Sequence, residues 1–212
     1  MNKGYRFLQI LLKPFYKIFY RMRVTGLENE LPEGPCIICA NHISMHDIFL
    51  IAVNLKRQIF FFAKKELFKN PLLAKFLRSF GTISVNRGTV DLHSITATIE
   101  VLRSGGYIGL FPQGTRMPDK EPSAEDVKSG VGLIAYRAKS NVLPVYIQTK
   151  NNRIRLFRPV TVIIGKPILY DELGFEKGGM AEYDAASKRI FERILEIGKA
   201  AENGDHHENQ NG

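Results

Sequence analysis

The stretch CIICANHISMHDIFLIAVNL, residues 36–55, is the part of the sequence that predicts the fold. Its first five residues are apolar and suit one buried strand, and a polar segment, residues 41–47, separates them from a predicted helix at 48–55. A strand that leads through a short turn into a helix is the repeating unit of α/β proteins. Ligands and catalytic groups of open α/β sheets gather where such strands end, so the polar segment is the predicted position of a functional site.

The same alternation of strands and helices continues along the chain. Further strands are predicted at 59–63, 82–85, 107–111, 142–149 and 160–164. Further helices are predicted at 66–80 with a break at Asn70-Pro71, at 91–103, at 131–139 and at 181–201. The pattern therefore predicts an α/β protein with a substantially parallel sheet.

The composition indicates one folded domain with an uneven charge. Of the 212 residues, 44% are hydrophobic and 24% are charged, and the net charge is +9. The basic excess lies before residue 171, and the remainder is acidic. A basic body suits an anionic partner such as a membrane surface, a phosphorylated ligand, nucleic acid or an acidic carrier protein. Cys36 and Cys39 are too few for a disulfide scaffold and indicate a reducing compartment.

The first 25 residues are predicted to form a basic amphipathic helical segment. Their apolar and basic side chains fall on roughly opposite faces: Leu8, Leu11, Leu12, Phe15, Phe19 and Met22 against Lys3, Arg6, Lys13, Lys17 and Arg21. No stretch reaches the ~20 apolar residues of a spanning helix. The segment is therefore predicted to lie in the interface of an anionic leaflet, although a helix docked on the protein's own core fits the same pattern. Pro14 predicts a kink or a break.

Two side chains of the polar segment form a candidate acid–base pair. Ser44 and Asp47 have capping-box spacing, so Ser44 could cap the predicted helix with Asp47 in its first turn. That arrangement would fold the chain back and could bring the Asp47 carboxylate to the His42 imidazole. A carboxylate on one ring nitrogen fixes the tautomer and makes the other nitrogen a better base. The spacing alone is weak evidence, because Asp47 could also serve only the start of the helix.

Two other predicted strands end in residues suited to phosphate. Residues 81–88, GTISVNRG, contain Arg87, and residues 111–116, FPQGTR, combine a glycine, a hydroxyl and Arg116. Guanidinium groups bind phosphate bidentately, so the two could form a clamp, although each Arg alone suits a solvated surface. A third strand contains Pro144, which lacks a ladder donor and predicts an edge strand or a bulge.

Taken together, these motifs resemble the glycerolipid acyltransferase family, in particular its bacterial 1-acylglycerol-3-phosphate acyltransferases, over about residues 24–165. Its four blocks occur in order: Asn41-His42 with Asp47 is similar to NHxxxxD, 81–87 to the second block, 111–116 to FPEGTR and 142–147 to the proline-containing block. One position departs, because Gln113 stands where the family usually has Glu. If that residue mainly accepts a hydrogen bond from a glycerol hydroxyl, Gln can replace it; if its charge matters, activity or acceptor choice would shift.

The resemblance implies a glycerol-3-phosphate acyltransferase-like fold, a mixed sheet flanked by helices. The acyltransferase domain would span 26–202, after the helical segment 1–25 and before a polar, disordered tail at 203–212. The implied reaction moves a fatty acyl group directly from acyl-CoA or acyl carrier protein to the sn-2 hydroxyl of 1-acylglycerol 3-phosphate. In this scheme His42 is the general base and Asp47 orients it.

The resemblance also assigns binding residues and partners. Acceptor binding would involve Arg87, Gln113, Gly114, Thr115 and Arg116, and the acyl-donor or acyl-chain side Lys64, Lys128 and Pro144. The implied partners are a membrane phospholipid surface, lysophosphatidate and the acyl-CoA or acyl carrier protein thioester, with no nucleic acid, no metal and no other cofactor. The implied location is the cytoplasmic face of a bacterial membrane, as a peripheral protein.

Other interpretations stay open at this stage. The same fold could acylate glycerol 3-phosphate or another lysophospholipid, or could bind lipid without turnover. A zinc site built from Cys36, Cys39, His42 and His46 is disfavoured, because two residues three apart on a strand point to opposite faces.

Overall fold

One mixed sheet organises the chain. The structure, a computed structural model, describes residues 2–85 and 92–208, and side chains as far as residue 203. Within these residues seven strands form a sheet in the order β1-β7-β6-β2-β5-β3-β4, parallel except for the β6–β7 pair. The strands are β1 Arg23–Thr25, β2 Cys36–Ala40, β3 Ile59–Lys64, β4 Thr82–Val85, β5 Tyr107–Leu110, β6 Asn141–Thr149 and β7 Val160–Ile164.

Helices cover both faces of this sheet. The α-helices are α1 Lys3–Phe19, α2 His46–Ala52, α3 Pro71–Ser79, α4 Leu92–Arg103, α5 Gly130–Ala138 and α6 Met180–Glu208. Buried side chains of α1 and α2 pack on one face, and those of α4, α5 and α6 pack on the other. The predicted α/β fold of a mixed sheet flanked by helices is confirmed.

The central strand β2 is buried on both faces, which explains its unbroken apolar sequence. Cys36 and Ile38 belong to the core beneath α1 and α2, whereas Ile37 and Cys39 belong to the core beneath α5 and α6. Because the two cysteines lie on opposite faces, as predicted, they cannot bind one ion together.

Helix α1 docks on the protein through one stripe and leaves a second apolar stripe exposed. Tyr5, Gln9 and Tyr16 are buried, and the Gln9 amide donates to the carbonyl oxygens of Ala52 and Leu55, both at 2.8 Å. The exposed stripe comprises Phe7, Ile10, Leu11, Phe15 and Ile18. The docked-helix interpretation is therefore confirmed for the first stripe, and contact with lipid stays a prediction for the second. No helix in the described part of the chain is long and apolar enough to cross a bilayer.

The two ends of the chain differ from the predictions, and α2 runs from His46 to Ala52 rather than over 48–55. Helix α1 continues through Pro14 without the predicted break, because Pro14 lies on the exposed side, where water can satisfy the carbonyl that loses its partner. Residues 23–25, assigned to the helical segment, instead form β1 and pair with β7. Helix α6 continues through 203–208, which were predicted to be a disordered tail, and residues 209–212 lie outside the described residues.

Pro144 does not lie in an edge strand. Strand β6 pairs with β2 on one side and β7 on the other. The β7 ladder ends at Val145↔Ile164 and resumes as a single bridge at Val142↔Ile168, so one extra residue opposes the segment around Pro144. The bulge half of the prediction is therefore correct, because the missing N–H falls where the ladder is already interrupted.

Asn41 continues the β2–β6 ladder with its side chain. Its Oδ1 accepts from the Ile147 backbone N–H at 2.8 Å, and its Nδ2 donates to the Ile147 carbonyl oxygen at 3.1 Å. Asn41 is fully buried, so both bonds lie away from water. This clamp fixes the point at which the chain leaves β2 and enters the polar segment.

We expect Asn41→Ala to lower the free energy of unfolding by about 2–5 kcal/mol, because the N–H and C=O of Ile147 would stay buried without partners. Urea unfolding followed by circular dichroism measures this change. Asn70→Ala is the matched control, because the Asn70 side chain caps the exposed start of α3 and its loss should lower stability by only about 1 kcal/mol. Equal effects of the two substitutions would contradict the clamp.

Candidate active site

One carboxylate oxygen organises the polar segment between β2 and α2. Asp47 Oδ2 accepts from the backbone N–H groups of Ile43 at 2.7 Å and Ser44 at 2.8 Å, and it lies 2.7 Å from His42 Nδ1. Asp47 is completely buried. The two backbone donors bind this oxygen and close the segment into a tight turn. The predicted contact between the Asp47 carboxylate and the His42 imidazole is therefore present, and it depends on these amides rather than on a Ser44 cap alone.

The His42 ring is held in one orientation with one nitrogen available. Its Nδ1 is placed to donate to Asp47, and its ring stacks on Phe111 with 3.8 Å between centroids and 13° between planes. The Nε2 atom has no hydrogen-bond partner among the described residues. An imidazole whose Nδ1 proton is fixed by a carboxylate carries its lone pair on Nε2, so the pair can accept a proton there.

The buried side chain of Gln113 is hydrogen-bonded to the His42 backbone. Its Oε1 accepts from the His42 backbone N–H at 2.8 Å, and its Nε2 lies 3.4 Å from Met117 Sδ. The residue is only 1% exposed. Its carbonyl oxygen thus accepts from a backbone N–H inside the protein, and contact of this residue with a glycerol hydroxyl of the acceptor stays a prediction.

The exposed residues beside Gln113 face the same site. Gly114, Thr115 and Arg116 are exposed, and the Lys128 side chain lies over the turn at Gly114, where a Cβ would come within 3.1 Å of Lys128 Cδ. The Lys128 backbone N–H donates to the Pro112 carbonyl oxygen at 3.0 Å. The structure therefore brings Arg116 and Lys128 to the strand end next to His42. Arg87, the other half of the predicted clamp, lies outside the described residues.

An apolar cavity of about 260 Å³ opens beside His42. It lies between α2, β3 and α3, and its lining includes His42, Lys64, Arg116 and a larger apolar set: Met45, Ile48, Phe49, Phe61, Phe62, Ala63, Leu67, Phe76, Leu77 and Phe80. Lys64 therefore lies at the site as predicted. Pro144 is buried within β6 and is not part of this lining.

His46 connects α1 to the polar segment, a role that the sequence analysis missed. Its Nδ1 lies 3.0 Å from the Tyr16 hydroxyl and its Nε2 lies 3.3 Å from the Tyr20 hydroxyl. Burial lowers the pKa of His46 below its usual range, an effect opposed by the nearby Asp47 charge, and burial raises the pKa of Tyr16 and Tyr20. The only sequence signal was the four-residue spacing of two tyrosines on one helix face, which does not identify a partner 30 residues away.

The two cysteines take no part in the site. Burial raises the pKa of the Cys36 thiol to about 12, and it raises that of Cys39 well above its usual range. Both residues are fully buried, so neither offers a reactive thiolate at neutral pH. The described residues contain no group of three or more His, Cys, Asp or Glu that could hold a metal ion.

Comparison with known proteins identifies the class of this site. A family model described as Acyltransferase matches residues 21–148, which include β2, the polar segment and the strand end at Gln113. The match covers more than half of the chain, and the chain therefore belongs to the acyltransferase family.

Particular relatives agree with this assignment. The chain is 30% identical over 167 residues to the 1-acyl-sn-glycerol-3-phosphate acyltransferase of Bacillus subtilis, covering 77% of this chain and 82% of that protein. It is 30% identical over 131 residues to the enzyme of the same name from Borreliella burgdorferi, of which it spans about half, 52%. The crystal structure of the 1-acyl-sn-glycerophosphate (LPA) acyltransferase PlsC from Thermotoga maritima superposes with a TM-score of 0.67 at 26% identity, covering 90% of this chain and 78% of that one.

We expect Gln113→Ala to lower both stability and turnover. The buried His42 N–H would lose its acceptor, at a penalty of about 1–3 kcal/mol, and His42 would no longer be held beside Phe111. Urea unfolding and acyl-transfer rates measure the two effects. Gln113→Glu is the matched control, because a carboxylate can still accept from this N–H. If the Gln113→Ala variant unfolds with the same free energy as the wild type, the hydrogen bond from His42 to Gln113 does not stabilise this part of the site.

Proposed function

We propose that this protein transfers a fatty acyl group from a thioester to the sn-2 hydroxyl of 1-acylglycerol 3-phosphate, with His42 as general base. The observation that carries the proposal is the His42–Asp47 pair at 2.7 Å, at the mouth of an apolar cavity beside Arg116. The names of the relatives support the choice of acceptor, because each is a 1-acyl-sn-glycerol-3-phosphate acyltransferase.

In the first step the acceptor hydroxyl gives its proton to His42 Nε2 as its oxygen attacks the thioester carbonyl carbon. The imidazolium that forms is stabilised by the Asp47 carboxylate, which is held by two backbone N–H groups and does not need to move. General-base assistance of this kind contributes ~10²–10⁴-fold to the rate.

In the second step the tetrahedral intermediate collapses and the carbon–sulfur bond breaks. The proton on His42 passes to the departing sulfur, which leaves as the free thiol of coenzyme A or of acyl carrier protein. The new ester remains on the acceptor, and His42 returns to its neutral form. The proton balance is complete, and we propose that the transfer uses no metal or redox cofactor.

Acceptor binding depends on the cations around His42. Arg116 is exposed at the mouth of the cavity and has no ion pair within the described residues, so its guanidinium can bind the acceptor phosphate bidentately. We propose the same role for Arg87. Positioning by these groups would bring the hydroxyl within reach of Nε2.

The cavity beside His42 suits the acyl chain that is transferred. Its lining combines the proposed base, where the thioester carbonyl must lie, with the buried rings of Phe61 and Phe80. Lys64 at the mouth is placed for the phosphates of coenzyme A or for the acidic surface of a carrier protein.

The exposed stripe of α1 suits a membrane surface. Phe7, Leu11, Phe15 and Ile18 are 41–65% exposed along one side of the helix, and basic residues flank them. An exposed apolar stripe with basic neighbours binds anionic bilayers in the interfacial plane. Because Tyr16 and Tyr20 contact His46, this helix would hold the active site at the membrane that contains the acceptor.

Two alternatives remain distinct from this proposal. The site could acylate glycerol 3-phosphate or another lysophospholipid, because binding of the phosphate does not by itself distinguish acceptors that differ in the rest of the molecule. A lipid-binding protein without turnover is disfavoured by the intact His42–Asp47 contact, which lipid binding does not need.

We expect His42→Gln to lower kcat by ~10²–10⁴-fold, and Asp47→Asn to lower it as well, because an amide stabilises the imidazolium less than a carboxylate does. Purified protein in mixed micelles would receive lysophosphatidate with acyl-CoA or acyl carrier protein thioester, and phosphatidate would be followed by mass spectrometry. His93→Gln is the control, because His93 is exposed on α4.

The outcomes of this assay separate the alternatives. Product with glycerol 3-phosphate but not with lysophosphatidate would replace the acceptor and keep the mechanism. Product that persists in His42→Gln would overturn the general base. Lipid binding without product from any acceptor, in the wild type and in Gln113→Glu, would favour the protein without turnover.

We expect Ala63→Leu to shorten the acyl chain that the enzyme prefers. The larger side chain would occupy cavity space, and each methylene that loses its burial should lower kcat/KM by about fourfold, since one buried methylene contributes ~0.8 kcal/mol. Competition between thioesters of different length measures the shift. Ala181→Leu, on the exposed start of α6, is the control. A changed preference for the acceptor's chain instead would mean that the cavity holds the acceptor.

A further inference from the structure

The loop between β6 and β7, residues 150–159, exposes two large apolar side chains at its tip. Leu156 is 51% exposed and Phe157 is 61% exposed. Phe157 also has a φ of +61°, a left-handed conformation that is unfavourable for a bulky residue. A mostly exposed aromatic ring in an unfavourable backbone conformation is a feature that suits a functional segment.

This loop is joined to the end of α1. The Phe157 backbone N–H donates to the Phe19 carbonyl oxygen at 2.6 Å, and the rings of the two residues lie 5.8 Å apart. The Val160 N–H donates to the Tyr20 carbonyl oxygen at 3.2 Å. The apolar tip is therefore continuous with the exposed stripe of α1, which ends at Ile18.

The loop also lies at the same edge of the sheet as the active site. Strands β2 and β6 are parallel, so the carboxyl end of β6, where the loop begins, lies beside the end of β2 that leads to His42. The Asp119 N–H donates to the Asn152 carbonyl oxygen at 3.2 Å, and the Met117 N–H donates to the His42 carbonyl oxygen at 2.8 Å, which links the loop to the site through one short segment.

Four cations surround the base of the loop. Lys150, Arg153, Arg155 and Arg158 line a cavity of about 140 Å³ together with Asn151 and Asp119. The one acidic side chain in this lining, Asp119, pairs with Arg153. The side chains of Lys150, Arg155 and Arg158 have no hydrogen bond or ion pair within the described residues, so their charges are available to a ligand.

We propose that the β6–β7 loop is a second lipid-binding element, in which Leu156 and Phe157 enter the bilayer interface while Lys150, Arg155 and Arg158 bind the phosphates of anionic lipids. Apolar and aromatic side chains flanked by cations suit the boundary between headgroups and acyl chains. A free phosphate or a nucleotide would explain the cations but not the apolar tip. The inference rests on the proposed function, because it assumes that the exposed stripe of α1 lies on the same membrane.

A second element changes what membrane binding can do. One interfacial helix constrains rotation about its axis only within the width of its apolar stripe. Contact at α1 and at the loop fixes two directions, so the sheet edge that carries His42 would face the bilayer that supplies the acceptor.

Tryptophan fluorescence tests this proposal directly, because the sequence contains no Trp. Phe157→Trp in the full chain would report the loop alone. We expect its emission to shift to the blue on vesicles of phosphatidylcholine with phosphatidylglycerol, and to be quenched by lipids brominated on their acyl chains. Leu169→Trp is the matched control: Leu169 is 50% exposed and follows the bridge at the opposite end of β6, so its emission should not change.

Binding and activity are measured separately, so each proposal can fail alone. Vesicle sedimentation reports whether the chain binds, and phosphatidate formation in detergent micelles reports whether the variant is folded and active. Unchanged emission from vesicle-bound Phe157→Trp protein would overturn the loop while leaving α1 and the reaction intact. Failure of every form of the chain to sediment would overturn lipid binding by both elements, whatever the activity.

Charge variants test the phosphate contacts. Arg155→Gln with Arg158→Gln should weaken binding to vesicles that contain phosphatidylglycerol by roughly 30-fold, since each cation near an anionic surface contributes ~1 kcal/mol. Lys166→Gln, which removes an exposed cation outside the loop, should change binding by less than the loss of one loop cation does.

Two results would overturn the lipid-phosphate assignment. One is an equal emission shift of the Phe157→Trp variant on vesicles of phosphatidylcholine alone. The other is an effect of the double charge variant on the KM for acyl-CoA but not on vesicle binding.

Discussion

The active site depends on one buried oxygen atom. Asp47 Oδ2 accepts from the amides of Ile43 and Ser44 and contacts His42 Nδ1, all within 2.8 Å. The two amides shape the turn, and the third contact fixes the imidazole, so the geometry of the backbone and that of the proposed base are set by the same atom. A carboxylate in this position needs several donors, because an isolated buried charge is strongly unfavourable. The polar segment supplies those donors from its own backbone, which is why the pair can exist in a nearly closed site.

The surroundings of this turn explain why the site is rigid. At the start of the turn, the Asn41 side chain is hydrogen-bonded to β6. Gln113 accepts from the His42 backbone N–H, and Phe111 stacks on the His42 ring. At the other end of the turn, His46 contacts the hydroxyl groups of Tyr16 in α1 and of Tyr20, the residue that follows α1. The helix that presents an apolar stripe to the outside is thus in direct contact with the residue before Asp47. Catalysis and attachment to lipid would be functions of one connected edge of the sheet rather than of separate parts.

The predictions from sequence succeeded where local patterns decide structure and failed where the partner is distant. The strands at 36–40, 82–85 and 160–164 follow from short runs rich in apolar and β-branched residues, and β2 could be recognised because a strand buried on both faces has no polar residue. The position of β6 inside the sheet could not, because the ladder around Pro144 is interrupted by residues 165–167, which follow β7 in the chain. The resemblance assigned Gln113 to acceptor binding, and it could not show that this side chain turns inward to an amide 71 residues away.

Short-range patterns are enough to predict the class of fold, a candidate contact between His42 and Asp47 and the amphipathic character of the first helix. These are properties of spacing and polarity within a few residues, which the chain carries whether or not it is folded. Folding settles which stripe of α1 is buried, which hydrogen bond Gln113 makes and which groups surround the cavity beside His42. Each of these depends on packing between elements far apart in the chain, where burial of one surface removes it from water and leaves another exposed. The contact between α1 and the β6–β7 loop also depends on folding, because a backbone hydrogen bond such as that from Phe157 to Phe19 cannot be inferred from the identity of the side chains.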